Sequence, residues 1–203
     1  MFQERLNLIQ PAQNIEPSWN VKPTQPAPVV TLQAGNNHLS NMRWGFQFEV
    51  RGKRVPGFNA RAEKVTQTWP YKYSVGKRHC LVPSIGFYEW TGPKGQRVPH
   101  FIHRADKQLF CMAGIWDQRE VAGEEALCFS ILTVAANDFM QPLHHRMPVI
   151  LEESQWAGWL AAELKPDVLE PIPGGDMAEY EVAPLKGDSA DLVHPVGPTR
   201  EAT

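Results

Sequence analysis

Short runs in which apolar residues dominate or alternate with polar ones recur along most of the chain. They are PVVTL (28–32), RWGFQFEV (43–50), LVPSIGFYEW (81–90), HFIHR (100–104), LFCMAGIW (109–116) and LCFSILTVAA (127–136). Each is rich in β-branched or aromatic residues and is bounded by Gly, Pro, Asn or charge, which is how strands separated by turns read. They predict a mainly antiparallel, curved, barrel-like sheet. Helical spacing is convincing in ESQWAGWLAAEL (153–164), where Trp156, Trp159 and Leu160 fall at i, i+3 and i+4 behind a cap at Ser154. A shorter helix is expected near 61–66. The fold class is therefore α+β, a sheet core with a few short helices, in a single domain over 1–203.

Composition narrows this picture. No apolar run approaches the roughly 20 residues that cross a bilayer, and MFQERLNLIQ lacks a basic stretch followed by a long apolar one. A cytoplasmic protein without a membrane partner is expected. Cys80, Cys111 and Cys128 lie in apolar stretches with no CxxC or Cys/His spacing. They read as reduced, buried thiols, so no metal is expected, and without a phosphate-binding glycine loop no cofactor is either.

Charge is polarised along the sequence. Residues 41–104 carry twelve Lys/Arg against three acids, a net +9, while the overall charge is −2. Trp44, Phe46, Phe48, Trp69, Tyr71 and Tyr73 are interleaved with those cations. Cations for phosphates and ring faces for stacked bases are the parts of a single-strand surface; a solvated face over core aromatics has the same composition.

Three stretches carry candidate chemistry. In GFYEW (86–90), strand alternation puts Glu89 on the side of Phe87, away from Tyr88 and Trp90. Desolvation there would raise its pKa and suit it to acid/base work; an edge glutamate facing water or an arginine is the alternative. QPLHHRMPVIL (141–151) places His144 and Arg146 on one face of a strand and His145 on the other, and histidine shuttles protons near neutral pH. GFNARAEKV (57–65) alternates Asn59 and Arg61 around Ala60, joining an amide to a phosphate fork; a turn or helix cap is again the plain alternative.

Taken in order, WNVKPTQ (19–25), RWGF (43–46), FNARAE (58–63), RHCLVPSIGFYEW (78–90), LTVAAN (132–137), LHHRMPVIL (143–151) and HPV (194–196) resemble the SRAP family, the SOS response-associated peptidases. The resemblance implies a sensor of abasic sites in single-stranded DNA, in which an amino-terminal cysteine condenses through its amine and thiol with the ring-opened aldehyde as a thiazolidine. It implies that Asn59 contacts the opened sugar, Glu89 is the acid/base, His144 assists proton transfer and Arg61 grips a phosphate. Trp44 and Pro23 would line the DNA groove, with Thr133 near the lesion pocket; Arg5 and Asn20, from the matching amino-terminal elements, join the DNA-binding set. A monomer is expected.

The chain departs from that family where the nucleophile should be. Members begin Met-Cys-Gly-Arg; here, aligning Arg5 with the family arginine puts Gln3 in the cysteine's place. Ile85 stands where Asp usually precedes the glycine, His145 where Asp often follows the histidine, and the tail after His194 lacks the expected asparagine. These differences predict a noncovalent or weakly reactive abasic-DNA binder. The alternatives are an upstream start that supplies the cysteine, or a lyase using the α-amine of Met1. A peptidase is disfavoured by the absence of a nucleophile elbow or HExxH, and a DNA-free structural role by the +9 segment.

Overall fold

The structure, a computed structural model, describes residues 2–9 and 15–201, without the side chains of Phe2 and Gln3. In chain order the strands are β1 (Pro26–Gln33), β2 (Asn36–Trp44), β3 (Phe46–Val50), β4 (Lys53–Gly57), β5 (Asn59–Arg61), β6 (His79–Ser84), β7 (Phe87–Thr91), β8 (Val98–Arg104), β9 (Phe110–Val121), β10 (Glu124–Ala135), β11 (Arg146–Pro148), β12 (Ile150–Leu151), β13 (Met177–Glu181) and β14 (Arg200–Glu201). The α-helices are short, α1 (Phe2–Arg5) and α2 (Trp156–Leu160).

Strands β10, β2, β1, β6 and β9 pair in that order, and β9 pairs back onto β10, closing a five-stranded barrel-like sheet. The pairings are antiparallel except that of β10 with β2. Every strand of it buries apolar side chains, among them Val30, Met42, Leu81, Ile115 and Phe129, each at most 1 % exposed. The long strand β10 changes neighbours along its length. On one edge it meets β2 at Cys128–Phe129 and then β5 at Ile131–Thr133; on the other it meets β9 as far as Ile131 and then β11 from Thr133. A second sheet runs β14-β13-β8-β7, and β3 with β4 forms a separate hairpin.

Two expected strands are broken, each at a glycine against which an aromatic ring packs closely. RWGFQFEV divides at Gly45, whose φ is +111° and whose missing Cβ would lie 2.4 Å from the Phe58 ring. The chain leaves β2 there and turns into the hairpin. LVPSIGFYEW divides at Ile85–Gly86, so β6 belongs to the barrel and β7 to the second sheet. A Cβ on Gly86 would lie 2.2 Å from the Phe101 ring. Apolar content alone predicts both as continuous, because the rings that crowd the two glycines come from other elements of the fold.

The helix expected over 153–164 is shorter. A 3-10 turn (Glu153–Gln155) precedes α2, with Gln155 Oε1 accepting from the Glu152 backbone at 2.9 Å, so the start is organised by Glu152 rather than by Ser154. It ends because Ala162 adopts a left-handed φ of 58° and the Glu163 and Leu164 amides fold back onto the Gly158 carbonyl. Trp156, Trp159 and Leu160 are buried at the predicted spacing. The helix expected near 61–66 is a single 3-10 turn (Ala62–Lys64).

Candidate functional site

Strand β7 pairs with β8 so that Glu89 lies opposite His100. Tyr88, on the other face, is tied down by its hydroxyl donating to the Trp19 carbonyl at 2.8 Å. His144 does not lie on a strand, as the sequence reading had it; it ends a turn that precedes β11. The Asn137 side chain organises that turn, accepting from the Met140 amide at 2.9 Å and donating to the Ile172 carbonyl at 2.8 Å. The His144 amide then bonds the Met140 carbonyl. The turn delivers the imidazole to β7, where His144 Nδ1 lies 3.8 Å from Glu89 Oε1.

The electrostatics of this pair favour proton exchange. Burial pushes Glu89 above the usual carboxylate range, and His144, the Trp90 amide and Arg97 only partly pull it back. His144 Nδ1 is 2.9 Å from the Arg146 carbonyl and 3.1 Å from the Arg146 amide. A protonated Nδ1 donates to the first and an unprotonated one accepts from the second, so the ring has a partner in either state.

The NAR element is β5. Its alternation buries Ala60 and leaves Asn59 and Arg61 exposed on one face. The parallel register on β10 sets Arg61 beside Thr133, whose hydroxyl donates to the Ala60 carbonyl. Arg146 reaches the same place from β11, donating to the Thr133 carbonyl at 2.5 Å and bidentately to Glu63 at 2.8 and 2.9 Å. That fork holds Glu63 below the normal carboxylate range. Arg146 and Glu63 were given no role by sequence reasoning, although both stand inside the stretches it singled out.

Trp44 adjoins this face: its indole donates to the Phe58 carbonyl at 2.9 Å, one residue before Asn59. Pro23 is exposed in a turn held to β2 by the Thr24 amide on the Trp44 carbonyl, 2.8 Å. Contacts therefore run without a gap from the Pro23 turn through Trp44, Asn59, Arg61, Thr133 and Arg146 to His144 and Glu89. Two expected residues lie off this path. Arg5 is engaged by Glu153 at 2.6 Å and lies over the Trp156 ring. Asn20 is buried, donates to the Gly187 carbonyl, and lines an open groove of about 440 Å³ with Lys22, Trp90, Arg97, Pro99, Pro184 and Leu185. Ile85 and His145 are both exposed, and the His145 ring lies 4.4 Å from that of His144. Met1, with its α-amine, and the Gln3 side chain lie outside the described residues.

A second Glu/His pair stands beside the first, on the neighbouring strands β8 and β13. His100 Nδ1 is 2.9 Å from Glu179 Oε2, His100 Nε2 is 2.8 Å from the Thr91 hydroxyl, and Glu179 Oε1 accepts from Arg200 at 2.7 Å. Both members are buried.

The whole arrangement can be set beside known proteins. A profile described as "SOS response associated peptidase (SRAP)" matches residues 1–187. The chain belongs to the SRAP family. Among SRAP relatives it is similar to the abasic site processing protein YoaM of Bacillus subtilis, 31 % identical over 199 residues that cover 90 % of this chain and 87 % of that one. It is 27 % identical to the abasic site processing protein YedK of Escherichia coli over 88 % and 84 % of the two chains. A crystal structure of a Bordetella bronchiseptica protein superposes with a TM-score of 0.74 at 26 % identity, covering 89 % of this chain and 95 % of that one. The mostly β, barrel-like architecture is thus a SRAP fold.

Proposed function

We propose that this SRAP protein binds single-stranded DNA at an abasic site, with Glu89 and His144 managing protons at the opened sugar. The observation that carries this is the Glu89/His144 pair, a carboxyl pushed up by burial 3.8 Å from an imidazole. It lies at one end of the face bearing Asn59, Arg61 and Arg146. The names of the relatives point to the same lesion. In this reading Asn59 meets the sugar, Arg61 a neighbouring phosphate, Trp44 and Pro23 the groove wall, and Thr133 the pocket. Asn20 and Arg5 act from behind, Asn20 by holding the 187 loop and Arg5 by fixing the start of the chain against Glu153.

With Gln3 in the place of the family's cysteine, the reading favours noncovalent capture. The three other thiols do not substitute: all are buried, and burial pushes each up, away from the nucleophilic thiolate. They are equally unfit for a cysteine-peptidase role. The test is a denaturing gel of this chain with single-stranded DNA holding one abasic site, beside a version restarted as Met-Cys-Gly-Arg. A shifted band for the restarted chain alone supports the reading. A band for neither, together with equal affinity for abasic and intact strands, overturns it.

A further inference from the structure

A second surface lies beyond the site just described. The 3-10 turn Tyr71–Tyr73 packs beneath β5: Tyr71 is buried against Phe46 and Phe48, and its hydroxyl donates to the Asn59 carbonyl. The residues flanking Tyr71 face outward. Trp69 is 48 % and Tyr73 56 % exposed, the Trp69 ring meeting Phe48 only along an edge and Lys72 lying over the Tyr73 ring. Cross-strand partners share a face, so the hairpin presents Val50 and Lys53 on the side of Phe48. Arg51, Lys53, Arg54, Lys64, Lys72 and Lys77 are exposed, and none is ion-paired among the described residues.

Two half-exposed aromatic rings among cations without ion pairs are not what a solvated surface needs. Exposed rings cost hydration that polar residues would not, and unneutralised like charges repel one another. Both costs fall when a strand with flat bases and one charge per nucleotide covers them. The surface is also continuous with the candidate lesion site: Lys64 follows Arg61 by one 3-10 turn, and the Thr68 hydroxyl and amide both return to the Lys64 carbonyl just before Trp69.

We infer that this face holds the single-stranded flank of the same DNA, with bases stacked on Trp69 and Tyr73 and phosphates on Lys53, Lys64 and Lys72. The inference rests on the abasic-DNA reading and extends it from the lesion to the strand beside it.

The test compares binding of the intact chain to single strands of about 4 and about 16 nucleotides, each with one abasic site. The longer strand should bind more tightly, its salt dependence steeper by about 0.7 per added phosphate contact. Tyr73→Ala should remove roughly 5-fold or more of that gain, a stacking contribution, and leave the short strand unaffected. Lys53→Gln with Lys72→Gln should lower the salt slope for the long strand alone. Trp69→Ala uncovers part of Phe48, so the tyrosine and lysine changes decide the matter. Equal affinity for the two lengths, a gain untouched by these changes, or a gain seen only when the flank is double-stranded would each overturn the inference. The short abasic strand against a short intact one tests lesion recognition separately, so the two readings fail on different measurements.

Discussion

Two Glu/His pairs stand at the second sheet, and they differ in how completely they are satisfied. Glu179 and His100 are buried and in direct hydrogen-bond contact, with Arg200 on the spare carboxylate oxygen and Thr91 on the spare ring nitrogen. Glu89 and His144 stand 3.8 Å apart, part-exposed, and His144 Nε2 meets no partner among the described residues. A saturated pair has no capacity left for a substrate, so it serves the fold. An unsaturated one holds that capacity open.

Removing one member of each pair should give opposite results. Glu179→Ala strips the buried His100 of its partner and the part-exposed Arg200 of its carboxylate, and should destabilise the protein by about 1–3 kcal/mol, read from urea unfolding. Glu89→Gln should not destabilise the protein but should slow crosslinking by the cysteine-restarted chain by about 100-fold, the usual worth of a general acid/base. If Glu89→Gln unfolds the protein or leaves the rate alone, the two pairs are alike and the contrast fails.

The pH dependence of stability sharpens the contrast at Glu89. Its pKa is raised in the folded state, so the folded protein retains the proton at pH values where the unfolded chain has released it. That contribution is complete below the unfolded value near 4.5 and is lost as pH rises through the folded one. The wild type should therefore lose stability relative to Glu89→Gln over that interval, by at most about 1.4 kcal/mol per pH unit. Paired urea titrations between pH 4 and 8 measure the difference. The smallest effect belongs to the cationic face: Arg61→Ala should weaken DNA binding and reduce the salt slope by about 0.7, one phosphate contact to a single strand.

The saturated pair was invisible in the sequence and the open one was not, for a physical reason. Glu89 is conspicuous because a carboxylate amid Phe87, Tyr88 and Trp90 contradicts its local pattern, and His144 because two histidines interrupt an apolar run. Neither His100, Glu179 nor Arg200 breaks a local pattern, and they meet only through pairing of strands some 80 residues apart in sequence. The strands themselves were legible from composition. Their breaks at Gly45 and Gly86 were not, since each depends on a ring, Phe58 or Phe101, brought close by tertiary packing. Arg146 escaped for the same reason, its fork being defined by Glu63 on a 3-10 turn and Thr133 on another strand.

Thr133 is the one residue at which β10 touches β5 on one edge and β11 on the other. Arg61 and β11, the strand on which the His144 turn ends, are therefore mounted on opposite edges of a single beam. In the abasic-DNA reading, a pull on the strand through Arg61 would therefore reach the beam that also carries the histidine turn, so that the two keep their alignment under load.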